Sequence, residues 1–192
     1  MKTTEFFPLT PSRWADFELL FGPRGACAGC WCVYWKLPRK VFTANQGDKN
    51  RLAQKEIVAS GQIPGLLAYV DGIPAGWVAV EPRENYPVLN NSRILKPLDD
   101  IPVWSVPCFF VAKNYRNQGL TVGLLKVAID HVANMGGNVL EGYPVEPRQP
   151  GKMSPAFVYT GLASAFKQAG FTEEARRSET RPIMRYYINK NK

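Results

Sequence analysis

The stretch that most constrains the fold is residues 103–132, VWSVPCFFVAKNYRNQGLTVGLLKVAIDHV. Its first part has β-branched or aromatic residues at both odd and even positions, namely Val103, Val106, Phe109, Phe110 and Val111. This pattern predicts a central strand that is covered on both faces. Pro107 lies inside the strand and cannot donate a ladder hydrogen bond, so a bulge or a splayed pair of strands is expected there.

An amphipathic helix is predicted after this strand, ending at Gly136-Gly137. Its apolar arc contains Leu120, Thr121, Val122, Leu124, Leu125, Ala128, Ile129 and Val132, and Gly123, Lys126, Asp130 and Asn134 fall outside that arc. The first turn reads RNQGLT, with a glycine that permits close approach and an arginine that adds charge. Because the amides at a helix N-terminus lack partners and carry the positive end of the dipole, this turn is predicted to bind an anion.

Length and composition predict a single domain over residues 1–192, with 45% hydrophobic and 21% charged residues. No apolar run is long enough to span a membrane, and MKTTEFFPLT lacks the apolar core of a signal peptide. We therefore expect a cytoplasmic protein with no membrane partner.

The net charge of +8 is consistent either with solubility or with attraction to phosphates. The densest basic cluster is Arg176, Arg177, Arg181 and Arg185. Because the basic residues form no long run, a nucleic-acid partner is not expected.

Three of the four cysteines lie in residues 25–36, GACAGCWCVYWK, among several aromatic residues. Cys27, Cys30 and Cys32 could act as zinc ligands, with Cys108 as the fourth if the fold brings it close. The alternative is reduced thiols in an aromatic wall that accommodates an apolar or cationic ligand or simply packs in the core. We assign no metal to this segment.

The other elements are predicted from periodicity and turn signals. Helices are expected at 13–21, 48–60 and 156–168, and strands at 66–70, 75–81, 138–143, 171–178 and 183–188. Asp71-Gly72 between two apolar runs predicts a tight hairpin. Residues 83–102 show no clear periodicity and are predicted to form a functional loop with one short helical turn, lying over the site.

Residues 111–125, VAKNYRNQGLTVGLL, resemble motif A of the GNAT superfamily of N-acetyltransferases, V-x-P-x-Y-R-x-x-G-x-G/A. Tyr115, Arg116 and Gly119 match along with the leading valine, whereas Lys113 replaces the proline and Thr121 replaces the last small residue. AFKQAGF at 165–171 resembles motif B. The resemblance implies an α/β (α+β) fold with a mixed, mostly antiparallel central sheet flanked by helices, and a bulged central strand.

The same resemblance implies acetyl-coenzyme A as the acyl donor. Its pyrophosphate would bind the helix N-terminus, which in this chain consists of Arg116, Asn117, Gln118, Gly119, Leu120 and Thr121. Its pantetheine would pair with the bulged strand through the backbone of Phe109, Phe110 and Val111. The implied reaction is direct attack of an amine on the thioester.

That reaction needs a base for the amine and an acid for the leaving thiolate. Glu81, at the end of the hairpin, and Glu141, on the next strand, are the candidate bases. Phe166 occupies the position where many family members have a tyrosine acid, so Tyr159 and Tyr143 become the candidates. Protonation of the thiolate by solvent remains an alternative.

Acceptor walls in this family come from the first helices and from variable loops, which correspond here to residues 25–35 and 83–102. Cys30, Trp31 and Tyr34 are thus expected to contact an amine, either a small molecule or a peptide. Two other functions remain open, a non-catalytic acyl-coenzyme A sensor and an acetyltransferase for an aminoacyl-tRNA. Either a monomer or a homodimer is compatible with the sequence.

Overall fold

The computed structural model describes residues 3–149 and 157–188. Its strands are β1 (Thr4–Pro8), β2 (Gly65–Val70), β3 (Ile73–Pro82), β4 (Trp104–Val111), β5 (Val139–Gly142), β6 (Thr172–Arg176) and β7 (Pro182–Tyr187). Its α-helices are α1 (Trp14–Phe21), α2 (Arg39–Ala44), α3 (Asp48–Ala59), α4 (Pro87–Asn90), α5 (Leu120–Asn134) and α6 (Ala163–Gln168). None of these helices has both the length and the apolarity needed to cross a bilayer.

All seven strands of the described residues form one sheet, in the order β1-β2-β3-β4-β5-β7-β6. The β4–β5 pair is parallel and every other pair is antiparallel, which confirms the mixed, mostly antiparallel sheet. The hairpin between β2 and β3 turns at Asp71 and Gly72, where φ is +50° and +76°. Two consecutive positive φ angles are typical of the tight hairpin turn that this dipeptide predicts.

The predicted bulge is present in β4. Ala79 of β3 pairs with Cys108, whereas Glu81 pairs with Ser105, so β4 holds one extra residue next to Pro107. On its other side β4 pairs with β5 only upstream of Pro107. The two parallel strands separate beyond that point, and the bulge and the splayed pair therefore occur together.

Alternation along β2 and β3 produces a core on each face of the sheet. One core packs under α5 and α6, and the other packs against α1 and the segment that carries Trp31 and Cys32. Helix α5 buries Leu120, Leu124, Leu125, Ala128 and Val132 as predicted. Gly123 was expected on the exposed side, but the ring of Phe6 from β1 covers it.

Strand β1 and helix α2 were not predicted. β1 has only five residues, and it forms a sheet edge whose single neighbour, β2, lies about sixty residues away in sequence. α2 has only six residues and contributes one buried side chain, Phe42. Elements this short carry too few repeats for periodicity to distinguish them from loop.

Helix α6 begins seven residues later than the predicted helix at 156–168, and residue 156 lies outside the described ranges. Gly161, with φ of +85°, separates the helix from the segment that precedes it. In that segment the carbonyl of Tyr159 accepts a hydrogen bond from the amide of Phe109 at 2.6 Å. The segment thus occupies part of the gap between β4 and β5 instead of forming helix.

Candidate functional site

The loop of residues 116–121, here called the anion loop, leads directly into α5. Asn117 and Gly119 adopt positive φ angles of +59° and +78°, and α5 begins at Leu120. Among the described residues, the amides of residues 117–121 donate to no backbone carbonyl. These amides lie at the positive end of a fifteen-residue helix, which is the arrangement that binds anions.

Two side-chain hydrogen bonds hold the anion loop in place. Arg116 Nε donates to the carbonyl of Val111 at 3.0 Å, which ties the loop to the end of β4. Gln118 Nε2 donates to the carbonyl of Asn114 at 2.8 Å. The guanidinium of Arg116 is therefore held beside the free amides while its side chain remains exposed.

Beyond Pro107, every second residue of β4 directs its backbone amide and carbonyl into the gap between β4 and β5. Ala112 donates to the carbonyl of Ala75, so the strand alternation directs the backbone of Phe110 toward β3 and that of Phe109 and Val111 toward the gap. The amide of Phe109 and the carbonyl of Val111 already have partners. The carbonyl of Phe109 and the amide of Val111 are the groups that a ligand can pair with.

This geometry corrects the expectation for Phe110. Its backbone belongs to the β3–β4 ladder, and only its side chain lines the cavity, where it packs on Phe21 at 5.3 Å between ring centroids. The sequence could not distinguish it from its neighbours, because the parity of the strand is set by the register with β3.

A single cavity of about 1270 Å³ joins the anion loop, the free edge of β4 and the start of α6 to a wall of aromatic residues and cysteines. We call this last surface the aromatic wall. It consists of Phe21, Ala26, Cys27, Ala28, Cys30, Cys32, Tyr34, Trp35, Arg39, Phe42 and Gln46.

Two of the three predicted acceptor contacts, Cys30 and Tyr34, belong to the aromatic wall. The third, Trp31, is buried behind it and stacks on Phe21 at 5.7 Å and 17° between ring planes. Arg39 is the one charged residue of the wall, and its guanidinium lies 4.8 Å from the centre of the Tyr34 ring. Arg39 was missed because α2 was missed.

Residues 83–102 do not line this cavity. Their Tyr86, Leu89 and Leu95 instead form a small apolar core with Tyr143 and Ile183. The loop does contain the expected short helical turns, at 83–85 and in α4. It is therefore a packing element of the fold and does not form a wall of the cavity.

Glu81, a predicted base, is 2% exposed and is not part of the cavity lining. It forms an ion pair with Lys36, and Asn85 Nδ2 donates to its other oxygen at 3.0 Å. Both carboxylate oxygens are thus engaged within the protein. This placement indicates a structural role for Glu81, which joins β3 to the segment that carries the aromatic wall.

Glu141, the other predicted base, is also buried and absent from the cavity lining. Arg83 Nη1 and Arg185 Nε donate to its two oxygens at 3.1 and 2.8 Å. The hydroxyl of Tyr143 donates to it at 2.8 Å and is 2.8 Å from Ser105 Oγ. Since Ser105 pairs with Glu141 across β4 and β5, this network clamps the two strands just before they separate.

Tyr143 lies two residues after Glu141 and on the same face, and that face points into the network and not into the cavity. Burial, together with the nearby Glu141 carboxylate, holds the pKa of Tyr143 well above its usual range. The geometry therefore argues against a catalytic role for either residue.

Tyr159 is the only one of the four predicted catalytic residues that lines the cavity. Its ring packs edge-on against Tyr34 at 6.4 Å. Burial is the main cause that raises the pKa of the Tyr159 phenol above its usual value, and Tyr34 and Cys108 add to it. The phenol is therefore protonated at neutral pH and is a weaker acid than an exposed tyrosine.

Phe166 is fully buried and does not line the cavity. A side chain on Gly142 would lie 2.0 Å from its ring, and the ring meets Phe109 and Phe171 edge-on at 5.9 and 4.9 Å. An apolar residue at this position packs the start of the gap between β4 and β5. Phe166 therefore contributes packing and adds no group to the cavity lining.

The predicted basic cluster near the C-terminus is engaged in internal contacts. Arg176 pairs with Glu146 and Glu173, and Arg185 pairs with Glu141 and Asp99. Arg177 donates to carbonyls of residues 96 and 97, and Arg181 donates to Thr160 at 2.9 Å. Much of the clustered charge therefore stabilises the fold.

No group of three or more His, Cys, Asp or Glu residues in the described ranges is arranged to hold a metal ion. All four cysteines nevertheless line the cavity, with Cys108 facing the aromatic wall from β4. The signal that could have placed Cys108 here is its position directly after Pro107, where the bulge opens the strand.

Comparisons with protein-family models and with curated proteins give no match. Solved structures match nearly the whole chain. A GNAT-family acetyltransferase from Listeria monocytogenes has a TM-score of 0.58 at 10% identity, covering 96% of this chain and 94% of that chain. A GNAT-family acetyltransferase from Streptococcus pneumoniae has a TM-score of 0.55 at 15% identity, covering 97% of this chain and 99% of that chain. The chain has the GNAT fold.

A third GNAT-like structure is PaiA N-acetyltransferase from Thermoplasma acidophilum, solved in complex with coenzyme A. Its TM-score is 0.52 at 14% identity, covering 96% of this chain and 99% of that chain. These likenesses confirm the GNAT fold expected from motifs A and B. At sequence identities of 10%, 14% and 15%, these structures establish the fold alone, and function depends on the residues of the site.

The Glu141 network yields a stability prediction. Glu141→Gln removes the charge that Arg83 and Arg185 share, and should lower the free energy of unfolding by about 3 kcal/mol because it leaves buried guanidinium charge uncompensated. Urea denaturation measures this loss. Glu84→Gln, at an exposed carboxylate in the same region, should change it by less than about 0.5 kcal/mol. Equal stability of the two variants would contradict the clamp.

Proposed function

We propose that this protein is an acetyl-coenzyme A-dependent N-acetyltransferase that acts on an amine, either a small molecule or a peptide. The observation that carries the proposal is one cavity running from the anion loop, along the free edge of β4, to the aromatic wall. That shape suits a long donor with phosphates at one end and a reactive acyl group at the other. The fold is shared with an N-acetyltransferase solved with coenzyme A.

The anion loop fits the pyrophosphate of the donor. Five unpartnered amides at 117–121, the positive end of α5 and the guanidinium of Arg116 all favour bound negative charge. Thr121 lines the cavity where the family motif has a smaller residue, and its hydroxyl is one more donor for a phosphate oxygen.

The free edge of β4 fits the pantetheine arm. The carbonyl of Phe109 and the amide of Val111 offer one acceptor and one donor on the same side of the strand. A ligand with amide groups can pair with them like an added strand. The carbonyl of Tyr159, bonded to the amide of Phe109, marks the inner end of this edge.

The reaction we propose is direct attack of the amine on the thioester that acetyl-coenzyme A supplies when bound. Tyr159 would donate a proton to the departing thiolate, because it lines the cavity and its carbonyl is bonded to the amide of Phe109 at the inner end of the β4 edge. Glu146 is the one carboxylate among the described residues that line the cavity, and its ion pairs with Arg176 and Lys167 lower its pKa and make it a poor base. We therefore propose that the amine reacts in its free-base form, after losing its proton to water.

The aromatic wall also bears on the acceptor. Aromatic rings and thiols dominate it, and its single charged group, Arg39, is positive. An apolar amine that is neutral or carries a carboxylate matches this surface better than a polycation does.

Gly119→Glu tests the donor site. The substitution places a carboxylate beside the free amides and a side chain at a positive φ, and should weaken coenzyme A binding at least about tenfold because like charges repel. Isothermal titration calorimetry measures the change. Gly136→Glu is a matched control, since Gly136 has a φ of +79° and open surroundings at the far end of α5. If both variants bind equally well, the anion loop does not hold the phosphates.

Tyr159→Phe tests the proton donor. We expect kcat for thiol release to fall about 100-fold, with coenzyme A affinity retained, because the substitution removes a single hydroxyl. Tyr186→Phe serves as a control, since that ring packs on Phe171 and is not part of the cavity lining. An unchanged kcat in Tyr159→Phe would assign protonation of the thiolate to solvent.

A thiol-release screen over amines, amino acids, polyamines and peptides tests the reaction itself. Apolar neutral or carboxylate-bearing amines should give the highest kcat/KM and polyamines the lowest, and kcat/KM should rise with pH up to the acceptor's own pKa. Arg39→Gln should selectively slow the carboxylate-bearing acceptors. Coenzyme A binding without thiol release from any amine would contradict the proposal and favour an acyl-coenzyme A sensor.

A further inference from the structure

None of the four cysteines that line the cavity donates, accepts or transfers a group in the proposed acetyl transfer. Cys27, Cys30 and Cys32 come from the aromatic wall, and Cys108 comes from β4 on the opposite side. All four are free thiols. Two of them, Cys32 and Cys108, meet on the same apolar core.

The register of the sheet explains this meeting. Trp77 and Ala79 on β3 point to the same face, and Cys108 is the partner of Ala79 on β4. The indole Nε1 of Trp77 donates to the sulfur of Cys32 at 3.1 Å. Cys32 is therefore held above these two strands, on the face that also carries Cys108, whose thiol lies 3.9 Å from the carbonyl of Phe109.

The surroundings of Cys32 stabilise a thiolate. The interaction with the Cys108 thiol is the largest cause that lowers the pKa of Cys32, and Trp77 and Lys36 act in the same direction against the effect of burial. The pKa of Cys108 is raised, mainly by the same interaction and by burial. One sulfur of the pair is suited to be the nucleophile and the other to be a protonated thiol.

The other two cysteines are less suited to react, although they form the more familiar C-x-x-C spacing. The Cys30 thiol points to the carbonyl of Gly25 at 3.7 Å, and burial followed by the nearby Cys32 raises its pKa to about 11. Cys27 is exposed at the rim of the cavity. Neither has a partner comparable to Trp77.

The backbone that presents Cys32 is fixed in an uncommon conformation. Ala26, Ala28, Trp31 and Cys32 all have positive φ angles. Asn50 Nδ2 holds this segment by donating to the carbonyl of Gly29 at 3.1 Å. Such conformations persist only where the surrounding structure determines them, so the position of Cys32 opposite β4 is well defined.

We propose that Cys32 and Cys108 form a thiol pair that hydrogen peroxide oxidises to an intramolecular disulfide. The Cys32 thiolate attacks one peroxide oxygen, the O–O bond breaks, and the departing hydroxide takes a proton to become water. Cys32 is thereby oxidised to a sulfenic acid and the peroxide is reduced. The Cys108 sulfur then attacks the Cys32 sulfur, and the sulfenic oxygen leaves with the thiol proton as a second water.

The disulfide would cross the cavity where the aromatic wall faces β4. An S–S bond of about 2.05 Å draws two neighbouring sulfurs closer than van der Waals contact and fixes the wall against the strand. Because Cys108 precedes Phe109, the bond would form at the inner end of the free edge. If the proposed function holds, oxidation should therefore inhibit acetyl transfer, and reduction should restore it.

The direct test is mass spectrometry of the purified full-length protein after titration with hydrogen peroxide. We expect a loss of two hydrogens per chain, a cross-linked peptide that joins Cys32 to Cys108, and full reversal by dithiothreitol. Cys27→Ser and Cys30→Ser should form the same cross-link, whereas Cys32→Ser and Cys108→Ser should not. In Cys108→Ser the sulfenic acid of Cys32 should persist and be trapped by dimedone.

Peptide mapping of the wild-type protein decides the outcome even if a variant misfolds. A cross-link between Cys27 and Cys30, or oxidation without any cross-link, would overturn the proposal. The mass readout requires no acetyl transfer. A protein that forms the predicted disulfide but never releases coenzyme A would contradict the proposed function alone.

Discussion

A proline within a central strand cannot complete the hydrogen-bond ladder, and at Pro107 that interruption opens the sheet. Upstream of it β4 pairs with both of its neighbours, and downstream it pairs with β3 alone. Tyr159 and Arg116 satisfy two of the exposed backbone groups, and the remaining groups face the cavity. The residue that interrupts the sheet thus also determines where an extended ligand can lie.

Different forces hold the two sides of this opening. On one side, α5 is held by apolar packing, so its N-terminus is positioned while its amides stay free. On the other side, a buried carboxylate joins β5 to β7 and to the end of β3 immediately before β4 and β5 diverge. Charge buried this deeply is costly unless fully paired, which explains why Glu141 has two guanidinium partners and a hydroxyl.

The sequence predicted the features that depend on local chemistry. Pro107 indicated the bulge and Asp71-Gly72 indicated the hairpin, whereas the first helical turn was predicted at 116–121 and α5 begins only at Leu120. It could not predict the partners of Glu81 and Glu141, because a carboxylate on a strand reads the same whether it faces a substrate or a buried arginine. That difference depends on Lys36 and Arg185, which the fold brings from distant parts of the chain.

The residues of the cavity also differ in how far the local sequence could predict their positions. The family resemblance and the aromatic enrichment together placed Cys30, Trp31 and Tyr34 on its wall. Trp31 is instead buried, in a segment where Trp31 and Cys32 have positive φ angles. Residues 83–102 looked like a second wall because they lack periodicity. They form a small core of their own, since Tyr86 and Leu89 pack with Tyr143, directly after β5, and with Ile183 on β7.

A crystal structure of the protein with coenzyme A is the most direct measurement of the central claim. In that structure we expect the pyrophosphate oxygens to lie about 2.7–3.2 Å from the amides of residues 117–121. We expect the pantetheine to lie beside the carbonyl of Phe109 and the amide of Val111. Pyrophosphate bound at any other surface, or a pantetheine arm that does not follow β4, would contradict it.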